Sequence, residues 1–189
     1  MSESINILSI AKNVKTLGPG NRMVIWVQGC PFNCKGCITP EGIPMQVKTL
    51  VSIKKLAQEI IRDETIDGIT FSGGEPFMQA SKLSILIDII NASKVSMNYI
   101  SFTGFEYEKL NWEEAKDLLG KLDLLIDGKY VNSLNDNKGL RGSTNQNLIF
   151  LSNTLKGYEN QLLCGDRNLD IRISNSIQSI GIPNKLVNL

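Results

Sequence analysis

Three of the chain's four cysteines fall within one run of eight residues, Cys30-Pro31-Phe32-Asn33-Cys34-Lys35-Gly36-Cys37. Gaps of three and then two residues hold them on a single turning loop. Whatever fold this chain adopts has to carry that loop where its sulfurs face one volume. An odd number of close cysteines does not make a disulfide framework. Thiolates are soft ligands that select zinc, Cu(I) or iron–sulfur clusters. A structural zinc site wants four protein ligands, yet the chain has no histidine and its remaining cysteine, Cys164, lies far away in sequence. Three clustered ligands leave one coordination position open, and an open position on a metal centre is where chemistry happens. An iron–sulfur cluster is the leading expectation. Zinc, a reactive thiol and plain buried cysteine stay as alternatives.

The length of 189 residues suits one domain, or one domain with a small extension. The hydrophobic fraction of 42% provides for an ordinary core. With 20 basic and 19 acidic residues the net charge is +1, so no field of one sign points to nucleic acid or an acidic membrane. Met1-Ser2-Glu3-Ser4 has neither the basic region nor the apolar run of a signal peptide. No apolar stretch approaches the ~18 residues that span a bilayer. A cytoplasmic location with reduced thiols is expected. The absence of histidine removes the most frequent general base and every histidine metal ligand. Function carried by a bound cofactor is the corollary.

Strand and helix signals alternate along the chain. Apolar, β-branched runs predict strands at 23–28, 68–71, 97–102 and 122–126, with further candidates at 147–151 and 169–173. Helical spacing of Ile53, Leu56, Ala57, Ile60 and Ile61 predicts a helix over 51–62 with Ser52 as N-cap. Two more helices are predicted at 80–92 and at 111–119, the latter capped by Asn111. Short apolar strands alternating with helices indicate an α/β fold with a mostly parallel sheet covered by helices. Polar punctuation follows the strands, as the cysteine loop, Ser72-Gly73-Gly74-Glu75-Pro76, Thr103-Gly104-Phe105 and Asp127-Gly128-Lys129-Tyr130. Sites in parallel α/β folds form at those carboxyl ends, so these segments face one crevice. The chain is shorter than the ~250 residues of a full eight-stranded barrel. An open, partial (β/α) barrel of about six strands is predicted.

Two glycines in SGGEP let the backbone approach a ligand closely. Free N–H groups there, together with the Glu75 carboxylate, suit a group that is both donor and acceptor, such as an α-amino acid head. The alternative is an ordinary turn. The C-x3-C-x2-C triplet, followed by a strand and GGEP, resembles the radical S-adenosylmethionine superfamily. Leu17-Gly18-Pro19-Gly20-Asn21-Arg22, CPFNCKGC, TGF, DGKY and Arg141-Gly142-Ser143-Thr144-Asn145-Gln146 occur in order. Together they are similar to the anaerobic ribonucleotide reductase activating proteins, small members of the glycyl-radical-enzyme activase group. The resemblance spans a core of about 5–150 within a single domain of 1–189. The segment from about 151 to 189 is an extension.

The resemblance implies a radical-SAM-type barrel whose Cys30, Cys34 and Cys37 hold a 4Fe–4S cluster. The fourth iron chelates S-adenosylmethionine, and its reductive cleavage yields a 5′-deoxyadenosyl radical that abstracts a hydrogen atom. Gly73, Gly74 and Glu75 are expected at the methionine amino group. Gly36, Ile38, Thr103, Asp127, Arg141 and Asn145 are further expected contacts of the cofactor. Arg141 and Asn145 have the alternative of simply bracing a loop. The implied partners are a glycyl radical protein and an electron donor such as flavodoxin or ferredoxin. Other radical SAM substrates (a peptide, a nucleotide, a small molecule) and a non-catalytic zinc- or cluster-binding module are the competing readings. After the third cysteine, activases of this group usually carry a Tyr-Asn or His-Asn pair and a nearby tryptophan. This chain reads Ile38-Thr39-Pro40-Glu41-Gly42-Ile43-Pro44 instead. Cys164, Trp26 and Trp112 are read as packing residues.

Overall fold

The central strands of the sheet have two apolar faces, and each face has found a different cover. In the computed structural model, which describes residues 3–93, 96–173 and 177–184, the chain opens with β1 (Ser4–Val14) and β2 (Arg22–Val27). β3 (Thr49–Ser52) runs into α1 (Ile53–Ile61), followed by β4 (Gly68–Gly73), α2 (Ala80–Ala92), β5 (Asn98–Phe102), α3 (Glu113–Leu119) and β6 (Leu124–Asp127). β7 (Asn147–Phe150), α4 (Glu159–Cys164), β8 (Asp170–Ile173) and β9 (Ile177–Ile180) complete it. Seven strands form one sheet in the order β3-β1-β2-β4-β5-β6-β7, and β8 and β9 form a separate antiparallel pair. The central strands β2, β4, β5 and β6 are parallel, joined through α1, α2 and α3.

Alternation along the strands sorts the side chains. Met23, Ile25 and Val27 of β2, Ile69 and Phe71 of β4, Tyr99 of β5 and Leu125 of β6 face the helices. Ile53, Leu56, Ala57 and Ile60 of α1 and Leu83, Leu86, Ile87 and Ile90 of α2 meet them there. On the other face lie Val24, Ile100, Leu124 and Ile126, and no helix of the α1–α3 layer belongs to that cluster. It is covered instead by Leu17, Leu140, Leu155, Leu162, Ile180 and Ile182, from loops and the C-terminal segment. Removing such side chains from water stabilises the fold by about 1.5–3 kcal/mol each.

The parallel centre and the open form of the sheet, with β3 and β7 as its two edges, are as expected, but a six-stranded (β/α) barrel is not what the ends build. Both ends are antiparallel: β1 pairs antiparallel with β2 and β3, and β7 with β6. A parallel neighbour needs a crossover that carries the chain back, usually on a helix. The stretch between β6 and β7 has only a short 3-10 turn at Asn132–Leu134, so the chain returns in the opposite direction. One helix boundary also shifts. The helix predicted from residue 111 starts at Glu113 with Trp112 in the N-cap position, and Glu113 and Glu114 complement the positive end of its dipole. Ser52 does occupy the N-cap of α1 but makes no capping hydrogen bond with its side chain. None of the described helices is long and apolar enough to cross a membrane.

At the opposite end of the sheet from the strands' carboxyl ends, Arg22 is wholly buried. Its guanidinium donates to Thr70 Oγ1 at 2.6 Å, Pro19 O at 3.0 Å, Ile69 O at 2.7 Å, and Asn98 Oδ1 and O at 2.5 and 3.2 Å. It thereby ties β2, β4, β5 and the preceding loop together. Burial pulls its pKa down to about 9, opposed by Asp123 and Asp67. Replacement by an apolar side chain orphans three backbone carbonyls and two side-chain oxygens at once. Arg22→Met is expected to lower the free energy of unfolding by about 3–5 kcal/mol. Denaturant titration of the purified variant checks this, and a loss below about 1 kcal/mol would show that the guanidinium is dispensable.

Candidate active site

The cysteine loop hangs from the end of β2 and is tied at both ends. Gln28 N donates to Asn6 O at 2.9 Å, Gly29 N to Gly42 O at 2.9 Å and Cys30 N to Ile43 O at 3.1 Å. The Gln28 side-chain amide donates to Glu41 O and Pro44 O at 3.1 and 2.7 Å. Within the loop Cys37 N donates to Cys34 O at 3.1 Å. All three thiols are free, half-buried, and line one cavity of about 650 Å³. Ser72, Gly73, Gly74 and Glu75 from the end of β4, Phe102–Gly104 from the end of β5 and Gly128–Tyr130 beyond β6 line the same cavity. Four parallel strands side by side thus deliver four loops to one place.

The paired glycines serve protein packing at this point. Gly73 has φ +101°, and a Cβ on it would stand 2.6 Å from Val27 N and 2.7 Å from Trp26 Cα. A Cβ on Gly74 would collide with the carbonyl oxygen of Gly29 and come within 2.8 Å of Gly42 O. Gly74 N donates to Val27 O at 2.7 Å and Glu75 N to Gly29 O at 2.8 Å. These two N–H groups are therefore not free for a ligand, contrary to the expectation from sequence. They stitch the end of β4 to the base of the cysteine loop.

Glu75 reaches the other way. Its Oε1 accepts from Phe77 N at 2.9 Å and from Thr103 Oγ1 at 2.8 Å, and its Oε2 from Gly104 N at 2.7 Å. The residue is 1% exposed. Burial pushes its carboxyl up to about 7, against the three donors that favour the charge. The loop it holds is also the seat of Phe32. A Cβ on Gly104 would collide with the Phe32 ring, which packs edge-on against Phe105 at 4.8 Å between centroids. Phe105 in turn meets Trp112 at 5.4 Å. Lys129 Nζ lies 4.7 Å from the centroid of Phe32, a cation–π contact.

The donor set fits an iron–sulfur cluster. Among the described residues no three Cys, Asp or Glu side chains converge as a site for one metal ion. Three thiols line one cavity, and thiolate is the ligand that iron–sulfur clusters take. Burial lifts Cys30 to about 11 and raises Cys37 as well, and the neighbouring Glu75 adds to the effect at Cys30. Loading therefore releases protons that Cys30 and Cys37 hold more tightly than free thiols do.

Of the residues singled out in sequence, Cys30, Cys34, Cys37, Ile38, Gly73, Gly74, Glu75 and Thr103 line the cavity. Gly36, Asp127, Arg141 and Asn145 are not among the lining residues. Gly36, at φ +80°, makes the turn between the second and third cysteines. Asp127 accepts from Tyr107 N at 2.8 Å and from Asn147 N and Nδ2 at 3.1 and 2.9 Å. Arg141 pairs with Asp136 at 3.0 Å, and Asn145 Nδ2 donates to Lys129 O at 2.8 Å. From the RGSTNQ segment the cavity takes Gly142 and Gln146 instead. Lys129, Phe102 and residues 178–183 also line it and were not singled out, and so does Trp26, which was read as a packing residue. The signal for Lys129 was present in DGKY, whereas the C-terminal residues carry no motif.

Residues 16–149 match the family of the 4Fe-4S single cluster domain. The chain is 33% identical over 136 residues to the anaerobic ribonucleoside-triphosphate reductase-activating protein of Enterobacteria phage T4, covering 69% of this chain and 85% of the relative. The protein of the same description from Vibrio cholerae is 31% identical over 143 residues, 68% of this chain and 87% of the relative. The pyruvate formate-lyase-activating enzyme of Clostridium pasteurianum is 31% identical over 149 residues, 76% of this chain and 58% of the relative.

The Glu75 clamp has a pH signature. A carboxyl that titrates near 4.5 when unfolded and about 7 when folded holds its proton more tightly in the folded chain. Its contribution to stability is thus full below pH 4.5 and declines as pH rises to about 7. At ~1.36 kcal/mol per unit the loss is about 3 kcal/mol. Metal-free protein is expected to lose stability relative to Glu75→Gln across that window, read from paired denaturant titrations at several pH values. Parallel curves for the two proteins would remove the buried titration.

Proposed function

The chain belongs to the 4Fe-4S single cluster domain family, among the radical S-adenosylmethionine activating proteins, and on that premise we propose that it activates a glycyl radical protein. The observation that carries the reading is the convergence of the three-thiol loop with the ends of β4, β5 and β6 on one cavity. A 4Fe–4S cluster held by Cys30, Cys34 and Cys37 would supply one-electron reduction of S-adenosylmethionine, and with it the radical chemistry needed to take hydrogen from a backbone glycine. We infer that β2-α1-β4-α2-β5-α3-β6 is an abbreviated form of the six-stranded radical SAM barrel, within one domain.

This chain's residues have distinct tasks. Cys30, Cys34 and Cys37 hold iron. Gly73 and Gly74 let β4 press against the loop that carries them. Glu75 fixes the Thr103–Gly104 turn, and that turn seats Phe32 inside the cysteine loop. Lys129 lines the cavity with its ammonium over the Phe32 ring of the cysteine loop. Trp26, Phe102, Leu17 and Ala11 give the cavity an apolar inner side that excludes water. Ile38, 52% exposed at the cavity's edge, faces the approach to the cluster loop. The electron comes from a reduced protein such as a flavodoxin or ferredoxin.

Anaerobically reconstituted protein is expected to bind about four irons, with matching sulfide. Cys30→Ala, Cys34→Ala and Cys37→Ala lose that iron and the associated visible absorption, while Cys164→Ala, at an exposed position, retains both. Iron loss in Cys164→Ala together with retention in Cys30→Ala would refute the ligand set. For the partner, the reduced protein and S-adenosylmethionine are mixed with the glycyl radical proteins of the same cell and examined by electron paramagnetic resonance. A glycine-centred doublet is the expected signal. Cleavage of S-adenosylmethionine without that doublet on any candidate would shift the substrate to a peptide, nucleotide or small molecule.

A further inference from the structure

The family match ends at residue 149, yet the cavity does not. Gln178, Ser179, Ile180, Gly181, Ile182 and Pro183 line it together with the three cysteines. Ile180 and Ile182 are each 6% exposed and share a core with Val24, Ile100, Leu124 and Ile126, the side chains on the sheet face that α1–α3 leave uncovered. A parallel sheet needs cover on both faces. Here the second cover comes from a segment that returns after β7 and α4 to the start of the chain.

That return is fastened. Thr16 Oγ1 donates to Ile180 O at 3.0 Å, Arg172 Nη2 to Lys12 O at 2.5 Å and Lys15 N to Asp170 Oδ2 at 3.4 Å. Gly181, at φ +134°, brings the backbone so close that a Cβ would stand 2.8 Å from Asn168 O and 3.3 Å from Thr16 Cβ. The end of β9 is thus pinned against the loop between β1 and β2, with Ile180 and Ile182 turned to the inner core. The opposite side of the same hairpin is in solvent, with Ile173 78% and Ile177 75% exposed.

We propose that residues 178–183 are part of the S-adenosylmethionine site, an apolar wall in place of the strands that the short barrel lacks. The inference rests on the radical SAM reading and adds to it the residues that enclose the cofactor on the side away from the helices. Ile180, Ile182 and Pro183 give the uncharged nucleoside portion a surface out of water. Without them the cavity opens along the inner face of the sheet, and the cofactor meets solvent where the radical is generated.

The test uses the full chain loaded with its cluster and S-adenosylmethionine as the probe, with affinity read by equilibrium dialysis. Ile182→Asp is expected to weaken binding by about 10-fold or more, the factor that each ~1.4 kcal/mol of lost contact brings, with iron content unchanged. Ile173→Ser, on the solvent side of the same hairpin, is expected to leave affinity and iron untouched. Should Ile182→Asp fail to fold, amide hydrogen exchange of the wild-type chain decides: S-adenosylmethionine is expected to slow exchange over 177–184. Unchanged affinity in a folded Ile182→Asp, or unchanged exchange in that segment while the wild type binds the cofactor, overturns the wall. A wild-type chain that holds its cluster and does not bind S-adenosylmethionine overturns the radical SAM reading itself, and the wall with it.

Discussion

A single carboxylate with three donors and almost no access to water joins the parts of this site. Glu75 lies just past β4, but what it binds lies past β5, at Thr103 and Gly104. Through Gly104 it sets the seat of Phe32, and Phe32 is a residue of the cysteine loop. The backbone of the same residue closes the circuit, because Glu75 N donates to Gly29 O at the loop's base. A buried acid of this kind is costly to ionise, which is why its pKa rises to about 7, and the three donors are what make ionisation tolerable. Each loop alone is a surface turn with many conformations. Bound to one carboxylate, they have one arrangement.

The same economy of contact explains the glycines. Gly73, Gly74 and Gly104 all stand where a Cβ would strike another loop: β2 and the cysteine loop's base for the first two, Phe32 for the third. Their shared role is to let three loops approach each other within hydrogen-bonding distance. That role constrains the protein side of the site, and the ligand side is left to groups that line the cavity without being consumed, such as the side chains of Ser72 and Lys129.

What could be read in the sequence was local. The C-x3-C-x2-C spacing needs no tertiary information, and the runs ending at Val27, Phe71, Phe102 and Ile126 are apolar enough to be strands on their own. β1 was missed for a physical reason: its register slips between Ile7 and Ser9 and again between Ala11 and Val14, and each slip breaks the alternation that marks a strand. β3 is four exposed or half-buried residues running straight into α1, so its pattern merges with the helix. The direction of β7 was not legible, because an apolar strand has no sequence mark for parallel or antiparallel. Glu75 was legible as a site residue but not its partners, 28 and 29 residues away. Arg141 and Asn145 carry side chains suited to a ligand, but Asp136 and the Lys129 carbonyl hold them here.

The electrostatics of the cavity bear on how it comes to hold iron. Cys30 is lifted to about 11 by burial first, and then by Glu75, Cys37 and Cys34, each of which makes a further negative charge less welcome. Cys30 and Cys37, so placed, hold their protons until cations arrive to balance the charge. The loop's backbone, by contrast, is held beforehand through Gly42, Ile43 and the Gln28 amide. With the backbone preorganised and Cys30 and Cys37 holding their protons, the chain folds around the site without the cost of an unbalanced charge cluster, and those two thiolates form together with the metal that needs them.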